Sequence, residues 1–275
     1  EIGLAEWSLH RALKKGEITN MDFPFIAKNT YGIRVLEYVN QFFNDKATDK
    51  TYLRELLSRT QDLGIVNHLI MIDDEGDLGN VNDSKRMLAV DNHKKWVEAA
   101  KFLGCDSIRV NAHGVGSRDA VSNAAIKGLS ALADFSMPYN INIIVENHGG
   151  FSSDGKWLMN VINKTERPNI GTLPDFGNFC ISGSWGSTQE QCSNKYDKYL
   201  GVSEMMSHAK GVSAKSYDFD DEGNCIETDY YKMLEIVKNS GYNKYISIEY
   251  EGTRLSEDEG IKKTKSLLER VGSSM

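Results

Sequence analysis

The chain has 275 residues, a length that is ordinary for one α/β barrel and long for a single β-sandwich. Its 39 acidic residues outnumber its 32 basic residues, and the resulting net charge of -7 argues against a nucleic-acid partner. No apolar run approaches the length of a membrane span. The four cysteines are widely spaced and contain no C-x-x-C pair, which predicts neither a disulfide framework nor a zinc ribbon.

The sequence leaves the compartment open. It begins at Glu1 without a methionine and enters a strand almost at once, so a leader or tag removed from a longer chain is one explanation. We expect a soluble protein that is either cytoplasmic or exported after loss of an N-terminal leader.

Apolar segments typical of strands alternate with amphipathic segments typical of helices along the whole chain. The predicted strands cover residues 2–8, 33–39, 65–72, 107–113, 141–148, 169–175, 210–217 and 245–251. The predicted helices cover about residues 22–31, 49–63, 84–103, 118–135, 156–167, 196–209, 229–239 and 257–271. Eight strand-then-helix repeats predict a single closed (β/α)₈ barrel, with residues 1–275 as one domain. The alternative is a doubly wound open sheet, but the glycine-rich dinucleotide fingerprint after strand one is missing, so we expect no nucleotide cofactor.

The fifth predicted strand ends in polar groups that are costly to bury. Its apolar, β-branched run is typical of a strand buried on both faces, and Glu146, Asn147 and His148 follow directly. Because side chains alternate along a strand, Glu146 and His148 should point to the same side. A buried carboxylate and imidazole need partners. Either they form a salt-bridged rim or they bind a ligand, and the similar ends of three other strands favour the ligand.

Sites of (β/α)₈ barrels are built at the carboxyl ends of the strands. Besides strand five, these ends carry Asp175 on strand six and Glu249 and Glu251 on strand eight. Carboxylates that meet in a mouth of low dielectric constant repel one another. A divalent cation would neutralise them, and oxygen ligands favour Mn²⁺ or Mg²⁺, with Co²⁺ and Zn²⁺ also open. Arg109 and Lys215 are the alternative that needs no metal.

Six short motifs resemble the sugar phosphate isomerase/epimerase family of the xylose isomerase-like barrels. They are EWSLHR at 6–11, IRVNA at 108–112, ENHGG at 146–150, LPDFGNF at 173–179, GVSAKS at 211–216 and IEYEG at 248–252. The resemblance covers residues 2 to about 270. It is specific for the superfamily, which also holds ketose 3-epimerases, inosose-processing enzymes and endonuclease IV, and only weakly specific for a substrate.

The resemblance to ketose 3-epimerases implies a divalent metal held by residues from strands five to eight. Glu146 matches the first ligand position, Asp175 the second and Glu249 the last, and the two glutamates also match the acid/base pair. The third position, a histidine in those enzymes, falls on Ser213 here. A water held by Ser213, the His148 imidazole or the charge of a nearby lysine would have to take its place.

Other polar residues are candidates for contact with a sugar. Asn178 matches the position of a substrate-binding histidine in the epimerases. Glu37 resembles an interior glutamate of the family, and a structural ion pair and a substrate contact are both open for it. The predicted substrate-binding set is Glu37, Arg109, His113, His148, Asn178 and Lys215.

Three function classes follow from these features. The first is an isomerase or epimerase of a sugar, sugar phosphate or inosose, acting by metal-assisted proton transfer next to a carbonyl. The second is a sugar-binding barrel that has lost catalysis through the change at Ser213. The third and least favoured is a metal-dependent hydrolase of endonuclease IV type, because its histidine-rich site contrasts with the six histidines of this chain. The expected partner is a small carbohydrate, without nucleic acid or membrane, and a homo-oligomer is left open.

Overall fold

Eight parallel strands form one curled sheet in the computed structural model, which describes residues 1–187, 189 and 191–275. Strands β1 to β6 pair in chain order, and β8 lies between β1 and β7. The strands are β1 Ile2–Ala5, β2 Val35–Val39, β3 Val66–Met71, β4 Ser107–Val110, β5 Asn142–Glu146, β6 Ile170–Leu173, β7 Val212–Ser216 and β8 Ile246–Tyr250.

The barrel closes between β6 and β7 through single bridges. Thr172 pairs with Ala209, and Asp175 pairs with Ser213. Pro174 has no N–H to donate, but its carbonyl accepts a hydrogen bond of 2.9 Å from the backbone N–H of Ser213. The predicted (β/α)₈ barrel is therefore confirmed, and its closing seam brings the carboxyl ends of β6 and β7 together.

Helices connect the strands. They are α1 His10–Lys14, α2 Phe23–Tyr31, α3 Lys50–Asp62, α4 Asp83–Leu103, α5 Arg118–Ser136, α6 Gly155–Thr165, α7 Lys198–Met205, α8 Tyr230–Asn239 and α9 Glu257–Ser273. Helices α3 to α9 each begin at a residue whose side-chain oxygen accepts a backbone N–H, an interaction worth ~1 kcal/mol. Within the described residues, no helix combines the length and apolar character that a membrane span requires.

Several strands are shorter than predicted at their carboxyl ends. The sequence pattern extends strand one to residue 8, but β1 ends at Ala5 and Glu6–Leu9 form a 3-10 helix. Likewise β4 ends at Val110 rather than at His113. The alternation of side chains continues past the last pair of backbone hydrogen bonds, so the pattern overestimates the length of the ladder. These extensions carry much of the site.

A β-bulge reorients one side chain inside the barrel. The ladder between β2 and β3 pairs Leu36 with Asn67 and Glu37 with Leu69, so His68 is the additional residue. Its Nδ1 lies 3.0 Å from Oε1 of Glu37, and both side chains are buried. The bulge therefore directs His68 to the interior, which a regular alternation does not predict.

One disulfide joins Cys180 to Cys192 in the loop after β6. The sequence does not predict this disulfide, because a spacing of 12 residues does not reveal whether two Cα atoms come within bonding reach. Here they lie 5.9 Å apart. The remaining cysteines, Cys105 and Cys225, are buried free thiols.

A substitution at Gly171 can test the close packing at the seam between β6 and β7. A Cβ at this position would lie 2.6 Å from the backbone oxygen of His208. We expect Gly171→Ala to lower the free energy of unfolding by about 1–3 kcal/mol in urea titrations. Gly272→Ala on α9 is the control, because its Cβ would meet no atom within 4 Å. Equal losses in the two variants would contradict the close approach.

The one-domain organisation can be tested by limited proteolysis. We expect a single resistant core, with cuts in the loops at 73–83 and 180–195. Thr188 and Glu190 of the second loop lie outside the described residues. Because the disulfide spans residues 180–192, fragments from a cut inside it should separate on a gel only after reduction. Two stable fragments of similar size without reduction would contradict the expectation.

Candidate active site

Three buried carboxylates meet at the carboxyl ends of β5, β6 and β8. Glu146 ends β5, Asp175 follows β6, and Glu249 lies on β8. One oxygen from each residue lies within 4.8 Å of the oxygens from the other two. At most 5% of each residue's surface is exposed, so water screens their mutual repulsion poorly. The structure thus brings the three predicted metal ligands together, and we call them the acidic triad.

Ser213 lies between two members of the acidic triad. Its hydroxyl oxygen is 2.6 Å from Oδ2 of Asp175 and 3.1 Å from Oε2 of Glu249. A hydroxyl has one hydrogen and can donate to only one of two ionised carboxylates. Either one carboxyl carries a proton or additional positive charge has to stabilise the group.

Lys215 supplies part of that positive charge. Its ammonium lies 2.8 Å from Glu249, 3.1 Å from Glu251 and 3.8 Å from Asp175. Burial alone would lower the pKa of Lys215, but the surrounding carboxylates raise this pKa well above its ordinary value. The lysine is therefore a buried cation at the base of the mouth, on the same side of β7 as Ser213.

Arg109 is the second buried cation. Its Nε lies 2.9 Å from Oε2 of Glu146, and its NH1 donates a hydrogen bond of 2.7 Å to Asp73. The Nε–H is poorly aligned with Glu146, so Oε2 of Glu146 is buried without a hydrogen bond from any described residue. The other oxygen of Glu146 accepts a hydrogen bond of 3.1 Å from Asn178. The ion pair with Arg109 therefore leaves Oε2 of Glu146 without a hydrogen bond.

The pKa values of the acidic triad are consistent with too little positive charge around the three carboxyls. Burial raises the pKa of Glu146 and that of Asp175 above their ordinary values, and it raises the pKa of Glu249 to about 7. Five carboxylates surround the two buried cations, since Asp73 and Glu251 join the acidic triad in these ion pairs. The donor set therefore fits a divalent cation, which would allow more of these carboxyls to ionise together.

A cavity of about 550 Å³ opens above this group. Six of the residues that line it are Trp7, His10, Arg109, His148, Trp185 and Glu249. Of the acidic triad, Glu249 is among the described residues that line this cavity. Glu146 lies behind Arg109. The volume lies within the range of small-molecule sites in proteins.

Trp185 forms part of the cavity wall from the loop closed by the disulfide. Its ring centroid lies 5.0 Å from that of His148 and 5.6 Å from that of His113, and 49% of the residue remains exposed. Gly149, at φ 89°, lets this loop approach β5, since a Cβ there would overlap the backbone oxygen of Ser184. An aromatic ring exposed in a cavity offers a surface for stacking.

The other predicted substrate-binding residues occupy different surroundings. His113 lines an adjacent cavity of about 310 Å³, and its Nε2 lies 2.7 Å from the backbone oxygen of His148. Asn178 contacts Glu146 directly. Glu37 pairs with His68 inside the barrel and is not among the described residues that line the large cavity. Its described contact is the one with His68, which is structural, and a substrate contact at Glu37 stays a prediction.

Asp73 is a site residue that none of the sequence motifs identifies. Burial alone would raise the pKa of Asp73, but Arg109 and neighbouring donors hold it well below its usual range. Asp73 also accepts a hydrogen bond of 2.7 Å from Asn111. The alternation of side chains along β3 could have identified Asp73. Leu69 and Met71 face the interior of the barrel, and Asp73 follows them at the same spacing of two residues.

The model of the xylose isomerase-like TIM barrel family matches residues 26–271. The chain belongs to this family. No curated protein matches the sequence. Among solved structures, the IOLI protein with a binding zinc atom is 15% identical, with a TM-score of 0.75 over 100% of this chain and 98% of that chain. A D-tagatose 3-epimerase-like protein is 16% identical (TM-score 0.72, 100% and 97% covered), and an AP endonuclease of family 2 from Brucella melitensis is 16% identical (TM-score 0.68, 94% and 96% covered). At these identities the likeness shows the fold.

Metal binding by this xylose isomerase-like barrel can be measured by calorimetry with Mn²⁺ and Co²⁺. We expect Asp175→Asn to weaken binding by about tenfold or more, because it removes a charged ligand from the acidic triad. Ser213→His should strengthen binding of Co²⁺, because it adds a nitrogen ligand beside two carboxylates. Asp134→Asn, in an exposed ion pair with Arg167, is the matched control. Unchanged binding in Asp175→Asn would contradict this ligand assignment.

Proposed function

We propose that the chain is an isomerase or epimerase that transfers a proton at a carbon next to the carbonyl of a ketose or inosose. The observation that carries the proposal is the convergence of Glu146 and Glu249 beneath a cavity large enough for a sugar. Membership in the xylose isomerase-like family and the likeness to an epimerase-like protein add support.

Glu249 and Glu146 are the proposed proton-transfer pair. A carboxyl with a pKa of about 7 can both accept and donate a proton at neutral pH, and Glu249 has such a pKa and lines the cavity. Burial and the charge of Glu249 raise the pKa of Glu146. Different environments therefore separate the pKa values of the two carboxyls, which allows one carboxyl to accept a proton while the other donates one. Lys215, at 2.8 Å, would hold the Glu249 carboxylate in place.

Glu146, Asp175 and Glu249 would also hold the divalent cation that fits the acidic triad. When bound, such an ion supplies positive charge for the oxygen that becomes negative during proton abstraction. The protein's own contribution is to orient the carboxylates. Asp175 is fixed by hydrogen bonds of 2.8 and 2.9 Å from the backbone N–H groups of Gly177 and Asn178. Arg109 lies against Glu146 at the cavity wall, where it can contact a substrate oxygen.

A sugar-binding barrel without catalysis is the second candidate. One observation favours it: the ammonium of Lys215 already lies 2.8 Å from Glu249 and 3.8 Å from Asp175, so it replaces part of the charge of a metal ion. A hydrolase of endonuclease IV type gains no such support. Among the described residues, the one group that could hold a metal ion contains three carboxylates and no histidine.

Solvent deuterium uptake at the substrate carbon separates the two candidates. We expect uptake into at least one member of a panel of ketoses and inososes, with Mn²⁺, Mg²⁺ or Co²⁺ present. Glu249→Gln should slow it by about 10²–10⁴-fold, because the variant cannot take up the proton. Glu269→Gln, in an exposed ion pair on α9, is the control. No uptake by folded wild-type protein would favour the binding barrel.

A further inference from the structure

Two histidines line the large cavity from opposite sides of the mouth. His10 follows β1 and His148 follows β5, and these strands lie opposite each other in a ring of eight taken in this order. In both rings Nδ1 is hydrogen-bonded to the protein. In neither ring does Nε2 bond to any residue that the structure describes.

The surroundings of His148 determine which of its nitrogens carries the hydrogen. Asp73 is ion-paired with Arg109 and can only accept hydrogen bonds, so the Asn111 atom 2.7 Å from Asp73 has to be the amide nitrogen. The amide oxygen of Asn111 then faces Nδ1 of His148 at 2.9 Å. Since an amide oxygen can only accept, Nδ1 of His148 donates. The lone pair of the neutral ring is consequently on Nε2.

The same rule assigns the tautomers of two other histidines. Nδ1 of His10 lies 2.7 Å from the backbone oxygen of Trp7, so His10 also carries its hydrogen on Nδ1. His113 is the opposite case. Its Nε2 lies 2.7 Å from the backbone oxygen of His148, so His113 carries its hydrogen on Nε2. The mouth therefore contains histidines of both tautomers.

We propose that His10 and His148 accept hydrogen bonds from hydroxyl groups of the ligand, and that Asp73 and Asn111 are positioning residues that set the tautomer of His148. The inference rests on the proposed function in taking the ligand to be a sugar. It adds the contacts that would recognise that sugar on opposite sides of the cavity.

The remaining polar lining narrows the class of ligand. Asp73, Glu249 and Glu251 present further acceptor oxygens to the same cavity. Of the two cations in the described lining, Arg109 is ion-paired with Asp73 and Glu146, and Lys14 is exposed, 4.3 Å from the centre of the Trp7 ring. A wall rich in acceptors binds hydroxyl hydrogens well and repels phosphate oxygens. The geometry therefore favours a neutral polyhydroxylated ligand over its phosphate ester.

Nitrogen-15 NMR of the histidine rings tests the tautomers without any ligand or activity. In the wild-type protein we expect hydrogen on Nδ1 of His10 and His148 and on Nε2 of His113, with His148→Gln used to assign the His148 signals. Asn111→Leu should move the hydrogen of His148 to Nε2, because no acceptor then faces Nδ1. His10 should not change in this variant. Hydrogen on Nε2 of His148 in the wild type, which can be read even if a variant does not fold, would overturn the inference.

The expected preference for a neutral sugar over its phosphate ester can be tested by measuring ligand binding. We expect D-fructose, D-tagatose or D-psicose to bind at least about tenfold more tightly than its 6-phosphate, and Asn111→Leu to weaken binding of the free sugar by about tenfold. Equal or tighter binding of the phosphates would overturn the assignment of a neutral ligand. Failure of the proposed function is distinguishable, because it would abolish deuterium uptake while the free-sugar preference and the wild-type tautomers stayed as assigned.

Discussion

Unbalanced negative charge at the mouth of the barrel is the constraint on which the other features depend. Burial raises the pKa of every member of the acidic triad, which means that ionising all three together is costly. Lys215 and Arg109 offset part of this cost from two sides. The positive charge that is still missing is what a bound proton or cation would supply.

The closing seam of the barrel determines how that charge is arranged. Asp175 and Ser213 form one of the bridges between β6 and β7, so a residue that joins these strands is also a member of the acidic triad. The short Ser213 side chain leaves the ammonium of Lys215 close to both Asp175 and Glu249. Stability and site geometry are therefore coupled here, and substitutions at Ser213 should affect both.

Much of the fold and the acidic triad could be predicted from the sequence, because both depend on short-range patterns. Eight strand-then-helix repeats predict the barrel, and the carboxyl ends of its strands predict that Glu146, Asp175 and Glu249 converge. The interactions that were missed depend on events that a local pattern does not contain. A bulge turns His68 toward Glu37, and a folded loop brings together the two cysteines of the disulfide.

Asp73 shows why the polar network around the acidic triad is harder to predict than the triad itself. Its partners Arg109 and Asn111 are 36 and 38 residues away in sequence, and its role depends on which of their atoms face it. No local sequence pattern reveals such orientations. The tautomer of His148 depends on them in turn.

Anomalous diffraction from crystals grown with Mn²⁺ is the most direct test of a cation held by the acidic triad. We expect a peak about 2.0–2.6 Å from one oxygen each of Glu146, Asp175 and Glu249, the distances typical of hard cations and their oxygen ligands. An ordered mouth without a peak, with the ammonium of Lys215 in contact with the same carboxylates, would contradict it.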